Sequence, residues 1–142
     1  MPRTLKSLKT PLRYPGGKSR AVPKLLQYLP NLFQVKEFRE PFLGGGSVAL
    51  EITKRYPHID VWVNDLYEPL YNFWCELQHN GQELQDALLG IKTIYCNPDA
   101  ARCLFTSSKE QINDSDLSNF DRAVAFYIVN KCSFSGLTES SS

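Results

Sequence analysis

The sequence has few of the features that mark extracellular, membrane or metal-binding chains. Its four cysteines, Cys75, Cys96, Cys103 and Cys132, show no C-x-x-C spacing, which disfavours both a zinc site and a disulfide framework. They are expected to be reduced thiols of a cytosolic protein, mostly buried as small packing residues. Apolar runs extend only a few residues, too short for a transmembrane helix. Arg3, Lys6 and Lys9 are scattered charges with no apolar stretch after them, unlike a secretory signal. Neither a metal nor a membrane is therefore expected as a partner. The formal net charge is only +1, which argues against a protein built to coat nucleic acid. That balance hides an asymmetry: the first 40 residues hold nine Lys or Arg against two acidic groups. Such a segment can face a phosphate backbone, and equally can be a solvated surface.

The 142 residues, 42% apolar and 22% charged, suit one modest domain or part of a larger one. Tyr14-Pro15-Gly16-Gly17-Lys18-Ser19 reads as a turn. A helix capped by Ser19 or a near neighbour should follow, with Val22, Leu25, Leu26 and Leu29 as its apolar face and Pro30 as its end. Residues 37–43 read as a first strand, with Pro41 at its end because proline has no N–H for a ladder. Ser47 is placed to cap the next helix, where Val48, Ala49, Ile52 and Tyr56 fall near helical spacing. Residues 59–64 alternate as a second strand, with Ile59, Val61 and Val63 on one face. Strand, helix and strand in that order imply a parallel pair with a right-handed crossover.

From residue 67 onward the pattern is helical. One helix opens near Pro69, with Asp65 or Tyr67-Glu68 serving its free N–H groups. It carries a stripe of Leu66, Leu70, Phe73, Trp74 and Leu77, and Asn80-Gly81 breaks it. A second carries Leu84, Ala87, Leu88 and Ile91, and a short one covers residues 100–104. A last helix is marked by Phe120, Val124, Tyr127 and Ile128. Two parallel strands do not bury both faces of a sheet, so the fold class reads as the opening of a larger α/β domain.

Gly44-Gly45-Gly46-Ser47-Val48-Ala49 fits G-x-G-x-x-A. A strand before it, a helix after it and Asn64-Asp65 ending the next strand complete the layout of a nucleotide-type cofactor cradle. Glycines let the backbone approach a ligand, and the acid can take ribose hydroxyls. This geometry serves dinucleotides and S-adenosylmethionine alike. Pro15-Gly16-Gly17-Lys18-Ser19 is not a P-loop, because the position needing the first glycine is Leu12 and no strand pattern precedes it.

Two further blocks have no place in the dinucleotide fingerprint: Tyr14 to Lys18, and Glu40-Pro41-Phe42 before the glycines. With Asn64-Asp65 and Asn130-Lys131-Cys132-Ser133-Phe134-Ser135-Gly136-Leu137, they occur in the order found in the Dam-type N6-adenine DNA methyltransferases. The chain resembles that family over residues 12–138. The resemblance implies a Rossmann-like methyltransferase sheet in residues 1–67 and an incomplete helical DNA-recognition region in residues 68–142. It implies S-adenosyl-L-methionine bound by Tyr14, Lys18, Pro41, Phe42, Gly44, Gly46, Ser47 and Asp65. An aromatic face suits the sulfonium cation or the adenine, Lys18 suits the methionine carboxylate and Asp65 the ribose. It also implies double-stranded DNA as partner, approached near Asn130, Lys131, Ser133 and Ser135, in the cytoplasm of a prokaryote or a phage-infected host.

The family's chemistry depends on a D-P-P-Y type tetrapeptide that accepts hydrogen bonds from the adenine amino group and stacks on the flipped base. The nearest approach here is Asn97-Pro98-Asp99, which lacks the second proline and the aromatic and sits among helices. No catalytic residue is assigned. The expectation is a truncated chain that holds the donor cradle, binds the donor weakly and transfers no methyl group alone. Two alternatives stand beside it: one chain of a split methyltransferase whose second chain carries the catalytic half, and a fragment of an NAD-binding Rossmann oxidoreductase.

Overall fold

A computed structural model describes residues 9–133, which divide into two compact units, the first ending at Asp65 and the second beginning at Leu66. In the first unit, β1 (Glu37–Glu40) and β2 (Asp60–Val63) form a two-stranded parallel sheet, with Glu37 opposite Asp60 and Glu40 opposite Val63. β1 stops three residues before the sequence pattern does, because Pro41 has no amide hydrogen. Pairing resumes past it, where the Leu43 amide donates to the Asn64 carbonyl at 2.9 Å. The crossover is α2 (Ser47–Arg55). Leu32, Ile52 and Ile59 are the buried centre, and Phe38 and Val61, opposite one another in register, pack against them.

Arg39 and Trp62, also in register, point to the other face, with the guanidinium 5.9 Å from the indole centroid. Trp62 is 58% exposed. Within the described residues of the first unit, the helices therefore pack on the Phe38 and Val61 face and not on the Arg39 and Trp62 face.

The expected helix after Ser19 is shorter and more irregular than its apolar spacing suggests. A 3-10 turn (Lys18–Arg20) leads into α1 (Val22–Leu26), and the chain then reverts to i→i+3 bonds such as Tyr28 N–H to the Leu25 carbonyl. The cap of α1 falls not on Ser19 but on its near neighbour Ala21, which makes no side-chain bond, and Leu25 faces outward. Ser47 is not a cap either. Gly46 occupies that position in the left-handed region, φ 72°, and Ser47 is the first helical residue.

The second unit contains α3 (Glu68–His79), α4 (Gly81–Ile94), α5 (Pro98–Gln111) and α6 (Asn119–Cys132). α6 packs against each of the other three. Phe73 of α3 lies 5.6 Å from Phe126 and stacks on Tyr127 at 5.9 Å between ring centroids. The last helix marked by Phe120, Val124, Tyr127 and Ile128 is present as α6; of these four Ile128 is buried and the other three are half-buried. Ala123, Ala125, Phe126, Val129 and Asn130 are buried with Ile128, as expected of a helix enclosed nearly all round. Leu66, expected in the α3 stripe, lies before the helix and is 94% exposed.

The cysteines correct another expectation. All four are free, but Cys96, Cys103 and Cys132 are exposed and only Cys75 is half-buried. Among the described residues no helix is long and apolar enough to cross a membrane, and no group of three or more His, Cys, Asp or Glu could hold a metal ion.

Candidate functional site

Four segments of the first unit converge at the C-terminal end of its sheet. The first is the turn at residues 14–18, closed by a bond from the Gly17 amide to the Tyr14 carbonyl at 2.9 Å, with Gly16 at φ 68°. The second is the glycine bend, where Gly44 and Gly46 both have positive φ, 53° and 72°. An L side chain at such angles is strained. At Gly44 it would also collide, since an added Cβ would stand 2.9 Å from Cε1 of Tyr14. The glycines therefore hold the Tyr14 ring against the loop. The third segment is the end of β1, where Glu40 is buried. The fourth is the end of the second strand segment, where Asp65 Oδ2 accepts the Gly44 amide at 2.9 Å.

These segments border one hollow of about 250 Å³. Tyr14, Lys18, Phe42, Gly44, Gly46, Ser47 and Asp65 all line it, so seven of the eight residues assigned to the cofactor are brought together. Pro41 is the exception and is exposed. Phe42 borders the hollow but is 76% exposed. Ser47 bonds through Oγ to Ser19 Oγ at 2.7 Å, which ties the start of α2 to the 3-10 turn.

Glu40 was not among the assigned residues, though the Glu-Pro-Phe block contains it. It lines the hollow, and its Oε2 accepts the Ala49 amide at 3.0 Å in the first turn of α2. Its Oε1 lies 3.7 Å from Lys18 Nζ. Burial pushes the Glu40 carboxyl above its ordinary value, while Lys18 and the Ala49 amide pull it back. The hollow is thus bordered by one ammonium and two carboxyl side chains beside an aromatic ring.

A profile of the D12 class N6 adenine-specific DNA methyltransferases matches residues 14–142. The chain belongs to this family. It is 23% identical over 133 residues to the Type II methyltransferase M.MjaIII of Methanocaldococcus jannaschii, covering 89% of this chain and 46% of that protein. It is 30% identical over 127 residues to a DNA adenine methylase of Vibrio cholerae, covering 89% and 42%. A DNA N-6-adenine-methyltransferase of Escherichia phage P1 is 27% identical over 126 residues, covering 89% of this chain and 15% of the phage protein. The chain spans less than half the length of these relatives.

The family's later block falls at the end of α6. Asn130 is 1% exposed and Ser133 is buried, its Oγ 3.4 Å from the Asn130 carbonyl. Asn130 is buried on α6, and Ser133, buried too, is the residue that caps the helix at its C-terminal end. Lys131 is half-buried, with Nζ 5.3 Å from the Tyr127 ring centroid. Ser135 lies outside the described residues. Asn97-Pro98-Asp99 has a structural role: Asn97 caps α5, accepting the Ala100 amide at 2.9 Å, and Pro98 is the first helical residue.

Proposed function

We propose that this chain supplies the methyl-donor cradle of a DNA (adenine-N6) methyltransferase, with S-adenosyl-L-methionine as donor and double-stranded DNA as substrate. One observation carries the reading: Tyr14, Lys18, the left-handed glycines and Asp65 border a single hollow in a member of this family. The residues fit the donor. Its sulfonium and ammonium charges suit a hollow bordered by Glu40 and Asp65, and its carboxylate suits Lys18. The Tyr14 ring, held against the glycine bend, offers an aromatic face to the adenine or to the cationic centre. The bound donor supplies an electrophilic methyl group. What this chain's side chains do is bind and orient it.

In this reading residues 1–67 begin a Rossmann-like methyltransferase sheet, which the strand, glycine bend and crossover order support. Residues 68–142 begin a helical DNA-recognition region. The hollow of about 250 Å³ is below the roughly 300–1,000 Å³ of usual small-molecule sites, so donor binding by the 142-residue chain alone should be weak. The chain carries no D-P-P-Y tetrapeptide, so alone it should transfer no methyl group.

Calorimetric titration of the purified chain with S-adenosylmethionine and, separately, with NADH tests the assignment. Binding of the methyl donor in preference to NADH is expected. Preference for NADH would overturn it, as would labelled methyl incorporation into DNA adenine for the expected inactivity.

A further inference from the structure

The left-handed Gly46 creates a difficulty at the start of α2. A helix N-cap normally carries a side-chain oxygen that accepts an amide of the first turn. Glycine, which the φ of 72° favours, has none. The missing acceptor arrives from the strand: Glu40, nine residues before Ala49, gives Oε2 to the Ala49 amide. A carboxylate at a helix N-terminus is favourable, but a neutral amide would cap equally well without the cost of burying a charge. What the charge adds is the second contact, Oε1 to Lys18 Nζ at 3.7 Å. Lys18 is half exposed on a long flexible stem, and Glu40 is the buried end of the pair.

We propose that Glu40 is a positioning residue of the donor site: one oxygen fixes the first turn of α2 while the other sets where the Lys18 ammonium stands at the hollow. This rests on the reading of the hollow as a methyl-donor site. Glu40 acts on the donor through Lys18, and the buried end of β1 supplies the rigid base that a solvated lysine lacks.

Glu40→Gln keeps an acceptor for Ala49 and removes the charge, so it separates positioning from capping. Donor affinity by calorimetry should fall about fivefold, the upper range for a half-exposed ion pair. The urea midpoint at pH 7 should not fall, and the Ala49 amide should stay protected from exchange. Glu40→Ala should lose both donor affinity and Ala49 protection. Glu40→Gln added to Lys18→Met should weaken binding no further than Lys18→Met alone. Wild-type affinity in Glu40→Gln, or independent additive effects of the two substitutions, would overturn the proposal. Absence of donor binding by the wild-type chain would instead defeat the donor-site reading. The pairing is then judged in the free protein: Lys18 Hε resonances displaced by Glu40→Gln support it, and unmoved resonances reject it.

Discussion

The Gly44 amide and Asp65 Oδ2, 21 residues apart in sequence, are joined at 2.9 Å. Through this bond the carboxylate that ends the second strand segment sets the path of the glycine bend. Asp65→Ala should therefore loosen the bend as well as remove a hollow-lining charge. A hydrogen bond to a charged acceptor contributes about 1.5–3 kcal/mol, and this half-buried one belongs near 1.5. Urea unfolding checks that loss, and calorimetry should show donor affinity at least tenfold weaker, about 1.4 kcal/mol.

The Tyr14 ring and Gly44 should be energetically coupled. Gly44→Ala places a Cβ 2.9 Å from Tyr14 Cε1 at a φ of 53°. The left-handed conformation alone costs about 1–2 kcal/mol, and the ring must also shift. In a Tyr14→Ala background the steric part should vanish and the conformational part remain. A double-mutant cycle by urea unfolding measures the difference.

Glu40 makes stability fall as pH rises, because the cost of burying its charge outweighs its pairing with Lys18. Burial raises its folded value above 4.5, against the opposing pull of Lys18 and the Ala49 amide. Just above pH 4.5 the folded chain holds more of this proton than the unfolded chain, so stability falls as pH rises through the folded value. Glu40→Gln should lack this decline. The difference between the urea midpoints of the two proteins, followed from pH 4 to 7, isolates the Glu40 contribution and should move in favour of the variant as pH rises.

Asn97 should matter to folding and not to the site. Asn97→Ala removes the α5 cap and should cost about 1 kcal/mol. Thermal unfolding reads that loss, while donor affinity should stay at the wild-type value. A loss of donor binding would reopen the region around Asn97-Pro98-Asp99 as part of the site.

How far residues alone reveal this protein depends on whether the information is local. Turn chemistry is local. The two-glycine turn after Tyr14 and the glycine bend are formed by neighbouring residues whose backbone preferences few contexts reverse, whereas the cap at Asn97 was not read from the sequence. Strand alternation and the crossover helix are similarly visible, because periods of 2.0 and 3.6 report directly on which side is covered. Helix ends and burial on α6 were less visible. An enclosed helix has no single apolar stripe, so its pattern is compatible with several faces. The cysteines failed for a related reason: small apolar character makes burial common for this residue type, but position decides it.

Residue order by itself determined the glycine bend, the parallel pair and the family likeness, since each lies in short blocks whose spacing carries the chemistry. Only the tertiary structure decided that Gly46 rather than Ser47 caps α2, that Asp65 is spent partly on the Gly44 amide and that Glu40 joins Lys18 to a helix start. These depend on where chain ends and strand ends meet in space. A carboxylate's partner nine or 22 residues away is chosen by backbone geometry that no local pattern encodes.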